Sequence, residues 1–149
     1  MSDQSLKVET HLRIAKLPSE VYEAIVNPDK MSCYFISWGS DRLDLGTPVT
    51  WRWDDYGVQL TVAPRKVDPG RSVSFDWSAS GSDARVEFSF EPDGEDATIV
   101  RVNETGWPLD ATGVSRCLQQ MQGWTHMLCC LKAWLEYGIN LRRGGGVVK

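Results

Sequence analysis

Three runs near the middle of the chain, VTWRW (49–53), VSFDW (73–77) and VEFSF (86–90), alternate an apolar or aromatic residue with a polar one at every step. That period of two belongs to a β-strand, whose successive side chains leave opposite faces; at the helical period the rings would scatter around the axis. VQLTV (58–62) and VRV (100–102) follow the same rule, and turn signals separate the runs: Tyr56-Gly57, DPG, Gly81 and DGED. Connections this short join antiparallel neighbours, because a parallel pair needs a crossover of about a dozen residues or more. The expected structure is an antiparallel meander with two unlike faces. Val49, Trp51, Trp53, Val58, Leu60, Val62, Val73, Phe75, Trp77, Val86, Phe88, Phe90, Val100 and Val102 share one face. Thr50, Arg52, Gln59, Thr61, Ser72, Ser74, Asp76, Arg85, Glu87 and Ser89 take the other. An aromatic face of that extent requires a second layer to cover it.

The C-terminal segment is the element long enough to do so. Helical spacing runs from Val114 to about Leu141, with Asp110 or Thr112 as the capping residue. At about 100° per residue, Val114, Cys117, Met121, Trp124, Thr125, Leu128, Leu131, Lys132, Leu135 and Ile139 form the stripe that packs on the sheet. His126 and Cys130 stand on the opposite side, with Cys129 at its flank. Two donors fall short of a zinc site, and no acid on that side orients the imidazole for a cysteine nucleophile. Their expected role is structural, and no metal or cofactor is expected. Met127, Cys130, Ala133, Trp134 and Tyr137 make this outer side apolar too, and a helix apolar nearly all round is usually buried on both sides. A homodimer through Met127, Cys130, Trp134 and Tyr137 is one expectation; burial by the N-terminal region and a plain apolar surface are the others.

Ahead of the meander, LKVETHLRIA (6–15) alternates as a half-buried strand with His11 on its polar, solvated side. LPSEVYEAIVNPD then reads as a short helix, with Pro18 at its start and Asn27-Pro28 as its stop, and Asp29 to Tyr34 as one further helical turn. The whole is an α+β chain of 149 residues, enough for one domain, 1–143, followed by a glycine-led tail, 144–149, expected to be flexible.

Charge and composition remove several partners. A net charge of −4 offers no basic field to phosphate backbones, so nucleic acid is not expected. No run approaches the roughly 18 apolar residues of a spanning helix, and the N-terminus lacks an apolar leader core, so a cytoplasmic protein without a membrane span is expected. Cys33, Cys117, Cys129 and Cys130 show no CxxC spacing and read as reduced thiols.

Four stretches, LPSEVYEAIVNPDKMSCYF, DRLDLGTPVTWRWDDYG, NETGWP and GWTHMLCCLKAWLEYG, carry a resemblance over about Leu6 to Arg142. Their order resembles the helix-grip (START/Bet v 1-like) fold of the START-like (SRPBCC) superfamily, and within it the family named for the C-terminal domain of the activator of the heat-shock-protein-90 ATPase. The resemblance implies a curved sheet of six to seven strands gripping the long helix, with two short helices after the first strand. It also implies a cavity that in relatives holds lipids, polyketides, hormones or other apolar molecules. Chaperone activators of that name carry a further N-terminal domain that makes the principal chaperone contact, and this chain opens at the helix-grip strand; the resemblance is expected to carry fold ahead of co-chaperone activity.

On that frame the expected ligand-binding residues are Trp38, Trp51, Trp53, Phe75, Trp77, Phe88 and Phe90 on the concave side, facing Met121, Thr125 and Leu128. The alternative is that these rings fill the interior. Glu104 points inward with Val100 and Val102 if the last strand keeps its register, and is then a candidate acid or base with a raised pKa; if the strand bends, Glu104 is wet or bonded to an arginine. Thr125, Glu104 and Tyr34 are candidate orienting groups. The expected function is binding of an apolar small molecule without turnover; a polyketide cyclase or aromatase and a stress-related chaperone accessory are the alternatives.

Overall fold

The computed structural model describes residues 6–142; the tail expected at 144–149 lies outside them. The elements run β1 (Lys7–Ile14), α1 (Pro18–Val26), α2 (Pro28–Met31), β2 (Trp38–Gly39), a 3-10 turn (Leu43–Leu45), β3 (Val49–Trp53), β4 (Val58–Asp68), β5 (Ser72–Trp77), β6 (Ala84–Asp93), β7 (Ala97–Thr105) and α3 (Ala111–Tyr137). The strands form one antiparallel sheet in the order β1-β7-β6-β5-β4-β3-β2. From β2 to β7 each strand pairs with its neighbour in sequence, as the short turns require. β1 closes the far edge against β7. Pro64 sits in β4 where the register shifts against β5, the kind of irregularity that tolerates a residue without an N–H.

Alternation places the core. Trp51, Trp53, Val62, Val73, Phe75, Trp77, Val86, Phe88, Phe90, Val100 and Val102 are buried on one face, with α1 and α3 over it. Val58 and Leu60 share the parity of Val62 yet stay partly accessible, since nothing covers that end of β4 fully.

α3 begins where its cap dictates: the Asp110 carboxylate accepts from the Gly113 N–H at 2.8 Å. It ends at Tyr137, short of the expected Leu141, because Gly138 takes a left-handed backbone (φ 67°) and closes the last turn. α2 opens at Pro28, one residue before the expected turn, with the Asn27 side chain accepting from the Asp29 N–H.

The phase of α3 differs from the expected one. Cys117, Trp124, Leu128 and Leu131 are buried as expected, but so are Met127 (1% exposed) and Cys130 (0%). Val114, Met121 and Thr125 are exposed instead. The helix is covered on two flanks: Lys132 Nζ donates to the Arg13 carbonyl and Glu136 accepts from the Ala15 N–H at the end of β1, while on the other flank Cys130 lies near Tyr34 of the segment after α2. Met127 and Cys130 therefore belong to the core and cannot form the dimer face expected of them. Trp134 packs half-buried on the core and Tyr137 is 69% exposed.

Candidate functional site

Glu104 ends the inward-facing series of β7, after Val100 and Val102, and the strand holds its register to Thr105 against both β1 and β6. The carboxylate is consequently buried completely (0% exposed), with no arginine beside it. Three neutral donors meet it. Trp124 Nε1 donates to Oε1 at 2.7 Å, Gln120 Nε2 to the same oxygen at 2.9 Å, and Trp77 Nε1 to Oε2 at 2.8 Å. Buried indole N–H groups need acceptors, and one carboxylate serves two of them. Burial pushes the Glu104 pKa up, and the three donated hydrogen bonds hold it partly back. The carboxylate thus rivets β7 to β5 and α3.

The rings of Trp77 and Trp124 stack next to it, 5.3 Å apart and 28° from parallel. Phe35 approaches Trp124 at 5.9 Å and Trp53 at 5.4 Å, and Trp53 reaches Trp77 at 6.2 Å. These four rings form the apolar wall of an open cleft of about 690 Å³. Val58 and Leu60 of β4 and Tyr56 of the β3–β4 turn make one side; Gln119, Gln120, Gln122, Gly123 and His126 of α3 make the other, with Arg142 at one end. The cleft exists because Val58 and Leu60 are left incompletely covered, while Gly123 presents no side chain to fill the gap.

The expected binding residues separate into three groups. Trp53 and Trp77 line the cleft. Trp51, Phe75, Phe88, Phe90 and Leu128 are core residues in contact with other rings or buried beneath them. Trp38, Met121 and Thr125 are placed otherwise than expected. Trp38 pairs directly opposite Arg52, so it shares the outer face, where the guanidinium lies 5.0 Å over its ring. Met121 and Thr125 are exposed on α3, and the Thr125 hydroxyl donates to the Met121 carbonyl at 2.8 Å. Tyr34 is also unavailable to a ligand: its buried hydroxyl donates to the Ala24 carbonyl at 2.8 Å.

Phe35, Tyr56, Gln120, Trp124, His126 and Arg142 are site residues that pattern reading did not single out for binding. Trp124 and Gln120 carried a usable signal, since they lie one helical turn apart and the indole requires a buried acceptor. His126 Nε2 lies 3.5 Å from Cys130 Sγ, and burial pushes the Cys130 thiol pKa up, which keeps it protonated rather than nucleophilic.

A curved antiparallel sheet closed around a long C-terminal helix, with two short helices after its first strand, defines a START-like helix-grip protein. The sequence profile described as Activator of Hsp90 ATPase homolog 1-like protein matches residues 17–136, and the chain belongs to that family. Protein SSP2350 from Staphylococcus saprophyticus is 28% identical, with 95% of this chain and 100% of that one covered and a TM-score of 0.80. DynU16, from the dynemicin biosynthetic locus, is 22% identical at TM-score 0.78; the match covers 89% of this chain and 48% of that one. The solution structure of the Aha1 dimer from Colwellia psychrerythraea is 20% identical at TM-score 0.73, covering 89% and 98% of the two chains. No curated protein matches the chain in sequence.

Proposed function

We propose that this protein binds an apolar, ring-bearing small molecule in the cleft between the β3–β4 hairpin and α3. The observation that carries the reading is the wall of Phe35, Trp53, Trp77 and Trp124 along an open space of about 690 Å³, within the range of small-molecule sites. Aromatic faces bind flat apolar ligands by area and ring contact, while the glutamines, His126 and Arg142 at the margin offer polar orientation. Catalysis is less well supported. Glu104 is the inward acid, but its oxygens receive two indoles and an amide, with the Gln120 side chain between it and the cleft.

Native mass spectrometry of the protein as purified, beside its Gly123→Phe variant, tests this. An added Cβ at Gly123 meets nothing within 4 Å, so the ring enters open cleft without disturbing the core. A small-molecule adduct on the wild type that Gly123→Phe loses is the expected result; an adduct held equally by both proteins places the ligand elsewhere and sinks the reading. The same spectrum reports subunit number. If a homodimer is found, the exposed Val114, Leu118 and Met121 of α3 are the residues to substitute, since Met127 and Cys130 are buried.

A further inference from the structure

Glu104 differs from the other carboxylates held in this fold. Glu23 and Asp44 share Arg42, Asp76 lies between Arg65 and Arg85, Asp55 meets Arg142 and Glu136 meets Lys132. Glu104 is fully buried, yet among the described residues it receives only neutral donors. An ionised carboxylate offers about four acceptor sites, and the three donors present leave about one unused. Two of those donors are buried indoles fixed by ring stacking. The third, Gln120, is only half-buried and its side chain forms part of the cleft margin. It is the one donor able to leave towards solvent without opening the core.

We propose that Gln120 is a displaceable stopper, and that the ligand class is a flat aromatic molecule carrying an O–H or N–H donor, which takes Gln120's place on Glu104. This rests on the cleft being the binding site and narrows what it takes. The ring system lies along Phe35, Trp53, Trp77 and Trp124, and the donor reaches Oε1 past the edge of Trp124. A ligand without a donor leaves either Glu104 underbonded or Gln120 in place and part of the cleft closed. A site built to receive a donor rejects the analogue lacking it far more strongly than an apolar pocket rejects a missing methyl group. Gln120 is a positioning residue on this account, because its own contact is lost when the ligand enters.

The test is calorimetric titration with a matched pair of probes, 2-naphthol and 2-methoxynaphthalene, which differ by methylation of the donor. On the wild type, 2-naphthol is expected to bind on the order of 10-fold or more tightly, the range of a hydrogen bond to a charged acceptor. Gln120→Ala is expected to tighten 2-naphthol several-fold by removing the stopper while the methyl ether changes little. Glu104→Gln is expected to shrink the preference between the probes, with circular dichroism checking that it is folded. Gly123→Phe should block both. If the two probes bind the wild type equally and Gly123→Phe blocks both, the cleft is the binding site and the donor inference is overturned. If Gln120→Ala weakens both probes alike, Gln120 is a packing residue and the stopper is overturned. Absence of binding by either probe, or binding that Gly123→Phe leaves untouched, overturns the cleft reading and the inference resting on it.

Discussion

Glu104 links sequence position to stability most directly. Its folded pKa is raised by burial, so between the ordinary glutamate value and that raised value the folded protein holds a proton the unfolded chain has released. Stability from this group is therefore highest at the acid end of that window, falls as pH rises through it, and is level above. Glu104→Gln removes the titration and gives one of the three donors an amide N–H₂ to face instead of an oxygen, a loss of roughly 1–3 kcal/mol. Denaturant melts of both proteins across about pH 4 to 8 should show the wild type gaining on the variant as pH falls; parallel curves would mean that the carboxyl does not titrate differently in the fold. The inward direction of Glu104 was legible from the alternation Val100, Val102, Glu104, given an unbent strand. Its partners were not, because Trp77, Gln120 and Trp124 come from two other elements and meet it only through tertiary packing.

At the scale of elements, α3 contains two glycines whose environments predict opposite outcomes. A Cβ on Gly113 would lie 1.8 Å from the Pro108 carbonyl oxygen, so the capped first turn fits only a glycine. Gly123 is exposed, helical and surrounded by open space. Gly123→Ala should stabilise the protein by about 0.5–1 kcal/mol through helix propensity. Gly113→Ala should destabilise it by about 2 kcal/mol or more, as overpacking against backbone does. Urea midpoints of the two variants check this, and a shift of the same sign in both would refute the account. The Arg42 cluster is a second device of this kind, in which the guanidinium ties Glu23 of α1 to Asp44 of the 3-10 turn and holds both carboxyls below their usual range. Its contribution is present above the ordinary carboxylate pKa values and is lost as pH falls through the lowered ones. Arg42→Ala should cost about 1 kcal/mol at neutral pH, a partly exposed pair being worth little more, and thermal melts at pH 7 and near pH 3 should show that gap closing in acid.

Across the whole molecule, the segment after α3 is tied to the β3–β4 turn by Arg142, whose guanidinium meets Asp55 Oδ2 at 2.7 Å beside the cleft. Among the described residues Asp55 Oδ1 is buried without a partner, so Arg142→Ala leaves neither carboxylate oxygen paired by any of them. A loss of roughly 1–3 kcal/mol and faster amide exchange in residues 54–58 are expected; unchanged exchange there would show that the turn is held by β3 and β4 alone. Sequence by itself determined the strands of the meander, their antiparallel order, a polar cap for α3 at Asp110 or Thr112 and the aromatic face, because alternation, turn residues and caps act between neighbours in the chain. Tertiary structure alone decided which flanks of α3 are covered, the outward place of Trp38 and the burial of Met127 and Cys130. It also decided which four rings stand around open space rather than inside the core. These depend on how elements distant in sequence settle against one another, and a helix apolar nearly all round carries no preference strong enough to set its own rotation.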